Sequence, residues 1–240
     1  MPRSRKRKSR TLINLFLIGS IAFLGYFIYL QFQTKNIKNP EDLRPLEQGF
    51  YSHGIDISHY QGKIDWDAVL QCGDSSIAFV FCKATEGTTL VDSEWKSNLK
   101  NLRKRNIPVG AYHFFKPQLP ASKQAKHFLK NYTPKEDDLP PVLDVEEYGS
   151  STEGLLKDVK DWLQHIENKT GRRPIIYTNY NMYSELFQTG FSEYKFWIAS
   201  YSNNTDRVKD DRILYWQYSD QGKIPGIYGF VDLNMSKVKF

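Results

Sequence analysis

Sulfur ligands are scarce in this sequence, which has two cysteines, Cys72 and Cys82, among 240 residues. Two are too few for a disulfide framework, and their spacing does not match a zinc site. Cys82 lies in the apolar run 77–82 and reads as a small buried hydrophobe, with a Cys72–Cys82 bridge as the alternative in an oxidising compartment. Also missing are a Gly-x-Ser-x-Gly elbow, a His-Glu-x-x-His helix and a phosphate-binding glycine loop. Their absence argues against serine hydrolases of the α/β type, zinc proteases and P-loop enzymes. There are five histidines and no His/Cys cluster, so no metal or cofactor is implied. Nor does the body show an internal repeat, which sets solenoids and propellers aside.

Acidic residues are absent from the first ten positions, where Arg3, Arg5, Lys6, Arg7, Lys8 and Arg10 account for the whole formal charge of +6. Removing those six from 33 basic residues leaves 27 against 27 acidic ones. The neutral body argues against a nucleic-acid surface, because such a surface must neutralise phosphates across its face.

Residues 12–30 form a charge-free stretch interrupted by Asn14, Gly19, Ser20 and Gly25, long enough to cross a bilayer. Bulky residues through Tyr26, Phe27, Ile28, Tyr29 and Leu30 offer no small-residue cleavage site, so the stretch reads as an uncleaved anchor over residues 11–32. The basic tail 1–10 is expected in the cytoplasm and the remainder outside, giving a single-pass protein of the cytoplasmic membrane. Residues 33–52 are polar, contain Pro40 and Pro45, and read as a linker, with a catalytic domain over 53–240.

From residue 53 onward, β-rich runs recur at 54–58, 77–83, 108–115, 141–147, 174–178, 196–201, 213–218 and 230–234. Helical patterns intervene at 66–71, 93–105, 122–130 and 152–168, with a short one near 182–187. Asp65, Asp92 and Ser151 stand where helix N-caps belong, and Gly73, Gly171 and Gly190 follow helix ends. Alternating strands and helices predict a parallel sheet, and eight strands predict its closure into a barrel. After the sixth strand the intervals are too short for full helices. The expected fold is therefore α/β, a modified and incomplete (β/α)8 barrel with about eight strands and five helices, preceded by one transmembrane helix.

Catalytic groups of such barrels project from strand ends at one mouth. Asp56, Asp144, Glu146 and Asp232 occupy such ends, and the last strand should close against the first, making Asp232 and Asp56 neighbours. Asp144 and Glu146 are two apart and should share a face, whereas Glu147 should point away. Two carboxyls in one site hold one proton more tightly, as a glycosidase needs for an acid beside an anion. Taken alone, Asp-x-Glu also fits a solvated strand end. Lys83 and Glu86 suggest a supporting ion pair, and His113 a hydrogen-bonded barrel histidine. Tyr112, Tyr177, Tyr201 and Trp216 fall at strand ends and are candidates to stack on sugar rings, while Trp162 and Trp197 are assigned to the core.

The ordered motifs Gly54-Ile55-Asp56-Ile57-Ser58-His59-Tyr60-Gln61-Gly62, Ile64-Asp65-Trp66 and Phe79-Val80-Phe81-Cys82-Lys83-Ala84-Thr85-Glu86-Gly87 resemble glycoside hydrolase family 25. Gly110-Ala111-Tyr112-His113-Phe114, Pro141-Val142-Leu143-Asp144-Val145-Glu146, Tyr215-Trp216-Gln217-Tyr218 and Val231-Asp232-Leu233-Asn234 continue the likeness over 54–235. Cys82 departs from it, standing where an aliphatic residue is usual. The resemblance implies a lysozyme-type N-acetylmuramidase acting on the glycan strands of peptidoglycan. It also implies Glu146 as general acid, Asp144 as its acidic partner, and Asp56 and Asp232 as the remaining carboxylates of the cleft. A substrate-assisted, retaining route is favoured, with water activated by Asp232 or Asp56 and inversion as its competitor. A glycosidase of chitin-like chains and a non-catalytic glycan-binding barrel are the alternative functions.

Overall fold

A computed structural model describes residues 43–70 and 77–240. The anchor at 11–32, the basic tail and Cys72 lie outside the described residues, among which no helix is long and apolar enough to cross a membrane. Among the described residues, nine strands form one sheet. They are β1 (Ser52–Ile57), β2 (Ile77–Glu86), β3 (Leu90–Val91), β4 (Val109–Phe114), β5 (Val142–Asp144), β6 (Ile175–Asn179), β7 (Lys195–Ala199), β8 (Ile213–Gly222) and β9 (Val231–Ser236). The sheet runs β1-β9-β8-β7-β6-β5-β4-β2-β3, and pairing of β1 with β2 closes eight of these strands into a barrel. The two-residue β3 folds back antiparallel on the end of β2.

Helices α1 (Trp66–Leu70), α2 (Trp95–Lys104), α3 (Ala121–Asn131) and α4 (Thr152–Thr170) cover the outer face, followed by the short α5 (Tyr180–Met182), which runs into a π-turn at Tyr183–Phe187. Local chemistry sets their limits. Asp65 Oδ1 accepts from the amides of Asp67 and Ala68, and Ser151 Oγ from that of Gly154. Gly171 ends α4 in the left-handed region at φ 68°, its N–H returning to Glu167 O.

The expected all-parallel closure is corrected in one place: β9 runs antiparallel to both β8 and β1. Only residues 223–230 join β8 to β9, and a parallel return needs a crossover of a dozen or more residues. Reversal at β9 leaves the barrel without a helix there.

An N-terminal arm covers that side. Leu43 packs on the core, Phe50 is buried against Trp216 at 5.8 Å between ring centroids, and the Arg44 guanidinium lies 4.7 Å and 4.4 Å from the rings of Trp216 and Tyr218. Arg44 Nη2 also donates to Tyr218 O at 3.0 Å. The linker reading of 33–52 is thereby corrected at its C-terminal end, because these side chains have apolar partners on the barrel wall.

Alternation along the strands divides the core in two. Outward residues such as Ile55, Val80, Cys82, Leu143, Ile176, Ile198 and Trp216 meet the helices and the arm. Inward residues Phe79, Phe81, Val142, Ile175, Tyr177, Trp197 and Tyr215 fill the barrel, with Phe81 stacked on Trp197 at 4.5 Å. Gly54 and Gly110 flank the phenylalanines of β2, and a Cβ at either would come within 2.4 Å of a ring. The barrel is a packed core in its lower part, and its upper mouth opens on a cavity.

Candidate active site

The same alternation places a polar layer above the aromatic plug. Asp56, Lys83, Tyr112, Asp144, Tyr177, Gln217 and Asp232 all point inward and line a cavity of about 190 Å3, whose wall is completed by Glu146, Phe114, Tyr60 and Gln61 and whose floor includes Trp197. The antiparallel turn of β9 brings its first residues to the mouth, so Asp232 sits opposite Asp56 in register although it opens its strand. Glu146 lies two residues beyond Asp144, just past the end of β5, and the two carboxyls hydrogen-bond to each other. Glu147 points away and pairs with Lys116 at 2.5 Å.

Two carboxyl pairs thus occupy opposite walls. Asp56 and Asp232 hydrogen-bond through their side chains. The remaining contacts of Asp56 have a fixed polarity. Trp197 Nε1 can only donate, and it donates to Asn234 Oδ1 at 2.7 Å, which turns Asn234 Nδ2 toward Asp56 Oδ2 at 2.7 Å. Tyr177 and Tyr201 hydroxyls both donate to Gln217 Oε1 at 2.9 Å, leaving Gln217 Nε2 to donate to Asp56 Oδ2 at 2.9 Å. Two amide donors converge on one oxygen, which favours the anion on Asp56 and leaves the shared proton with Asp232.

Burial accounts for the direction of each titration. It raises Asp56 to about 6, against the pull of Asn234 and Gln217. It raises Asp232 further, to about 9, and repulsion from Asp56 adds to the effect. Burial also holds Asp144 well above the carboxylate range, with Glu146 as its repelling neighbour, and raises Glu146 too, against the hydrogen bond from Asp144 and then the charge of Lys83. Asp144 Oδ1 is buried with no hydrogen-bond partner among the described residues. Lys83 is itself buried and held by Glu86 at 2.7 Å, while Lys116 reaches Glu86 at 3.4 Å.

Three of the four expected sugar-stacking aromatics stand at the cleft. Tyr112 and Tyr177 line it, and half-exposed Tyr201 borders it through Gln217. Trp216 is corrected: it is 0% exposed, points outward between Phe50 and Arg44, and donates Nε1 to Ser200 O. Parity is the cause, since Tyr215 and Gln217 on either side face inward. Trp197, expected in the core, is buried but forms the cleft floor. His113 sits outside the sheet between Thr85 Oγ1 and Gln124 Oε1, its imidazole lowered to about 3 by burial. Gln217, Asn234 and Trp197 are site residues beyond those expected from the sequence; Asn234 lies two positions after Asp232 and so shares its inward face, whereas Gln217 and Trp197 carry no comparable signal.

A sequence model described as Glycosyl hydrolases family 25 matches residues 55–227. The chain belongs to this family. It is 36% identical to the protein YegX of Escherichia coli K12 over 247 aligned positions, covering 97% of this chain and 91% of that one. It is 32% identical to Lysozyme M1 of Streptomyces globisporus, covering 75% of this chain and 66% of the relative. Among solved structures, the family 25 glycosyl hydrolase of Bacillus anthracis superposes with a TM-score of 0.70 at 28% identity, covering 81% of this chain and 93% of that one. The bacterial lysozyme of Streptomyces coelicolor gives 0.70 at 30% identity, over 78% and 93%. The protein is a family 25 glycoside hydrolase of lysozyme type.

Proposed function

We propose that this family 25 enzyme hydrolyses the β-1,4 bond between N-acetylmuramic acid and N-acetylglucosamine in peptidoglycan. The supporting observation is the hydrogen-bonded Asp144–Glu146 pair on the cleft wall. A 2-acetamido sugar brings an N–H that the Asp144 carboxylate accepts. Accepting it favours the Asp144 anion, so the proton held by the pair goes to Glu146, the member at the open side. Glu146 protonates the glycosidic oxygen while the acetyl oxygen attacks the anomeric carbon, and the leaving bond breaks. Water then attacks that carbon from the vacated side, Glu146 takes its proton, the acetyl oxygen departs, and the β-configuration is retained.

The walls have separate tasks in this reading. Asp56 supplies fixed negative charge opposite the acid, and protonated Asp232 donates a hydrogen bond without adding a second charge. Tyr112, Tyr177 and Tyr201 contact the sugar faces.

The enzyme would work outside the cytoplasmic membrane, held by the anchor at 11–32, with the basic tail inside. A deciding experiment digests purified peptidoglycan with the full chain and identifies the new reducing ends. N-acetylmuramic acid is expected there; N-acetylglucosamine would mean a glucosaminidase, and no new ends a binding barrel.

A further inference from the structure

Exposed aromatic rings gather at one end of this barrel. Tyr60 follows β1, Tyr148 follows β5, Tyr201 follows β7 and Phe230 precedes β9, which places all four at the mouth. Tyr60 is the extreme case, 81% exposed while belonging to the cleft wall. A ring left in water is ordinarily free to rotate, but this one is propped. Its neighbour His59 lies against it, with 4.2 Å between centroids and 33° between planes. His59 is itself held twice by buried Asp92, through its backbone N–H at 2.9 Å and Nδ1 at 2.8 Å.

The turn beneath is equally constrained. Ser58 and Gln61 cap the His59–Gln61 turn reciprocally, Gln61 Oε1 accepting from Ser58 N at 2.9 Å. Gln61 Nε2 then donates to Phe230 O at 3.1 Å, tying the Tyr60 turn to the loop that carries the exposed Phe230 ring. Hydrogen bonds hold an apolar surface open to solvent beside the cleft. The fold thus maintains an exposed ring that burial would otherwise favour.

From this arrangement we infer that Tyr60 is a stacking platform for a further N-acetylhexosamine ring of the glycan, at the outer rim of the cavity on the β1/β9 wall and opposite Glu146. Sugar rings present C–H faces that fit a flat aromatic surface, and a preorganised ring loses little freedom on binding. The platform extends the site along the strand, giving preference for polymer over short fragments. It rests on the muramidase reading of the cleft.

The test compares full-chain Tyr60→Ala, Tyr60→Trp and, as a control at the opposite end of the barrel, Tyr51→Ala, on peptide-free glycan strands sorted by length. Tyr60→Ala is expected to lose about tenfold more kcat/KM on long strands than on the shortest strand cleaved, mainly through KM, while Tyr60→Trp keeps the length preference and Tyr51→Ala behaves as wild type. An equal loss at all lengths, or none, overturns the platform. Calorimetry with Glu146→Gln reads binding separately: Tyr60→Ala added to it should weaken long strands about tenfold. If the wild type cleaves no strand and this binding difference persists, the muramidase reading fails and the platform stands; if the binding difference is absent, the platform fails whatever the wild type cleaves.

Discussion

Asp56 and Asp232 are directly paired across the antiparallel β1–β9 ladder, one at the end of its strand and the other at the start, with their carboxyls hydrogen-bonded over the cleft. Side chains directly opposite on one face have nowhere to separate, so one proton must stay between them. The amides of Gln217 and Asn234 decide which partner is charged.

That pairing has a consequence for stability. Asp232 binds its proton more tightly folded than unfolded, with a folded value of about 9 against 3.8, so folding is progressively disfavoured as pH rises between those values. Asp232→Asn removes the titration while keeping a hydrogen-bonding amide. Its melting temperature at pH 7–8 is expected to exceed that of the wild type, with a flatter dependence across pH 5–8 and much reduced hydrolysis. A variant equally pH-dependent and no more stable would show that Asp232 does not hold the proton.

On the other wall, Glu146→Gln should preserve the melting temperature and reduce turnover by roughly 10²–10⁴-fold, the usual contribution of a general acid. Asp144→Asn should cost a comparable factor, since an amide cannot stabilise the positive charge of an acetyl-assisted intermediate. Glu147→Gln should stay within about threefold of wild type, well below the general-acid factor, because its partner is Lys116 outside the pair. Similar losses in all three would break the assignment of roles.

Stereochemistry separates the two hydrolytic routes. Proton NMR of the first products, recorded before mutarotation, should show the β-anomer. An α-anomer formed first would exclude acetyl assistance and transfer the water-activating role to Asp232 or Asp56.

Much of this was legible in the sequence because barrels repeat one rule. The runs at 77–83 and 108–115 foretell β2 and β4, and the short intervals after 201 foretell missing helices. The reversal of β9 follows from the same short spacing, but requires asking whether residues 223–230 could carry a crossover. Trp216 departs from its expected place for a narrower reason: a strand end suggests the mouth, but its parity, opposite to that of Gln217, turns it outward. The Arg44 arm left little signal, since Leu43, Leu46, Phe50 and Tyr51 lie in neither a helix nor a strand whose period would mark them; their partner, an uncovered wall of β8, exists only in three dimensions.

The arm and the proposed anchor together set the enzyme's reach, and the structure shortens the tether. Residues 43–51 lie on the barrel, with Arg44 held between the Trp216 and Tyr218 rings and near Asn203 on the loop after β7, which is the mouth side. In the proposed reading ten residues, 33–42, would separate the anchor from the arm, a separation of at most about 33–36 Å for a fully extended chain. The active mouth should therefore stay close to the outer membrane surface. Arg44→Ala should loosen this geometry, at a stability cost of about 1–2 kcal/mol for a cation stacked on two rings and hydrogen-bonded to a carbonyl. The expected signature is a lower melting temperature together with new protease cleavage within 43–50, while turnover on soluble glycan is retained. Protease applied to spheroplasts tests the frame itself: it should release the wild-type barrel only by cutting at 33–42, and should release the Arg44→Ala barrel by cutting at 43–50 as well. A barrel protected from protease while a cytoplasmic control stays intact would place the enzyme inside the cell, and the reach argument would then have no membrane to act from.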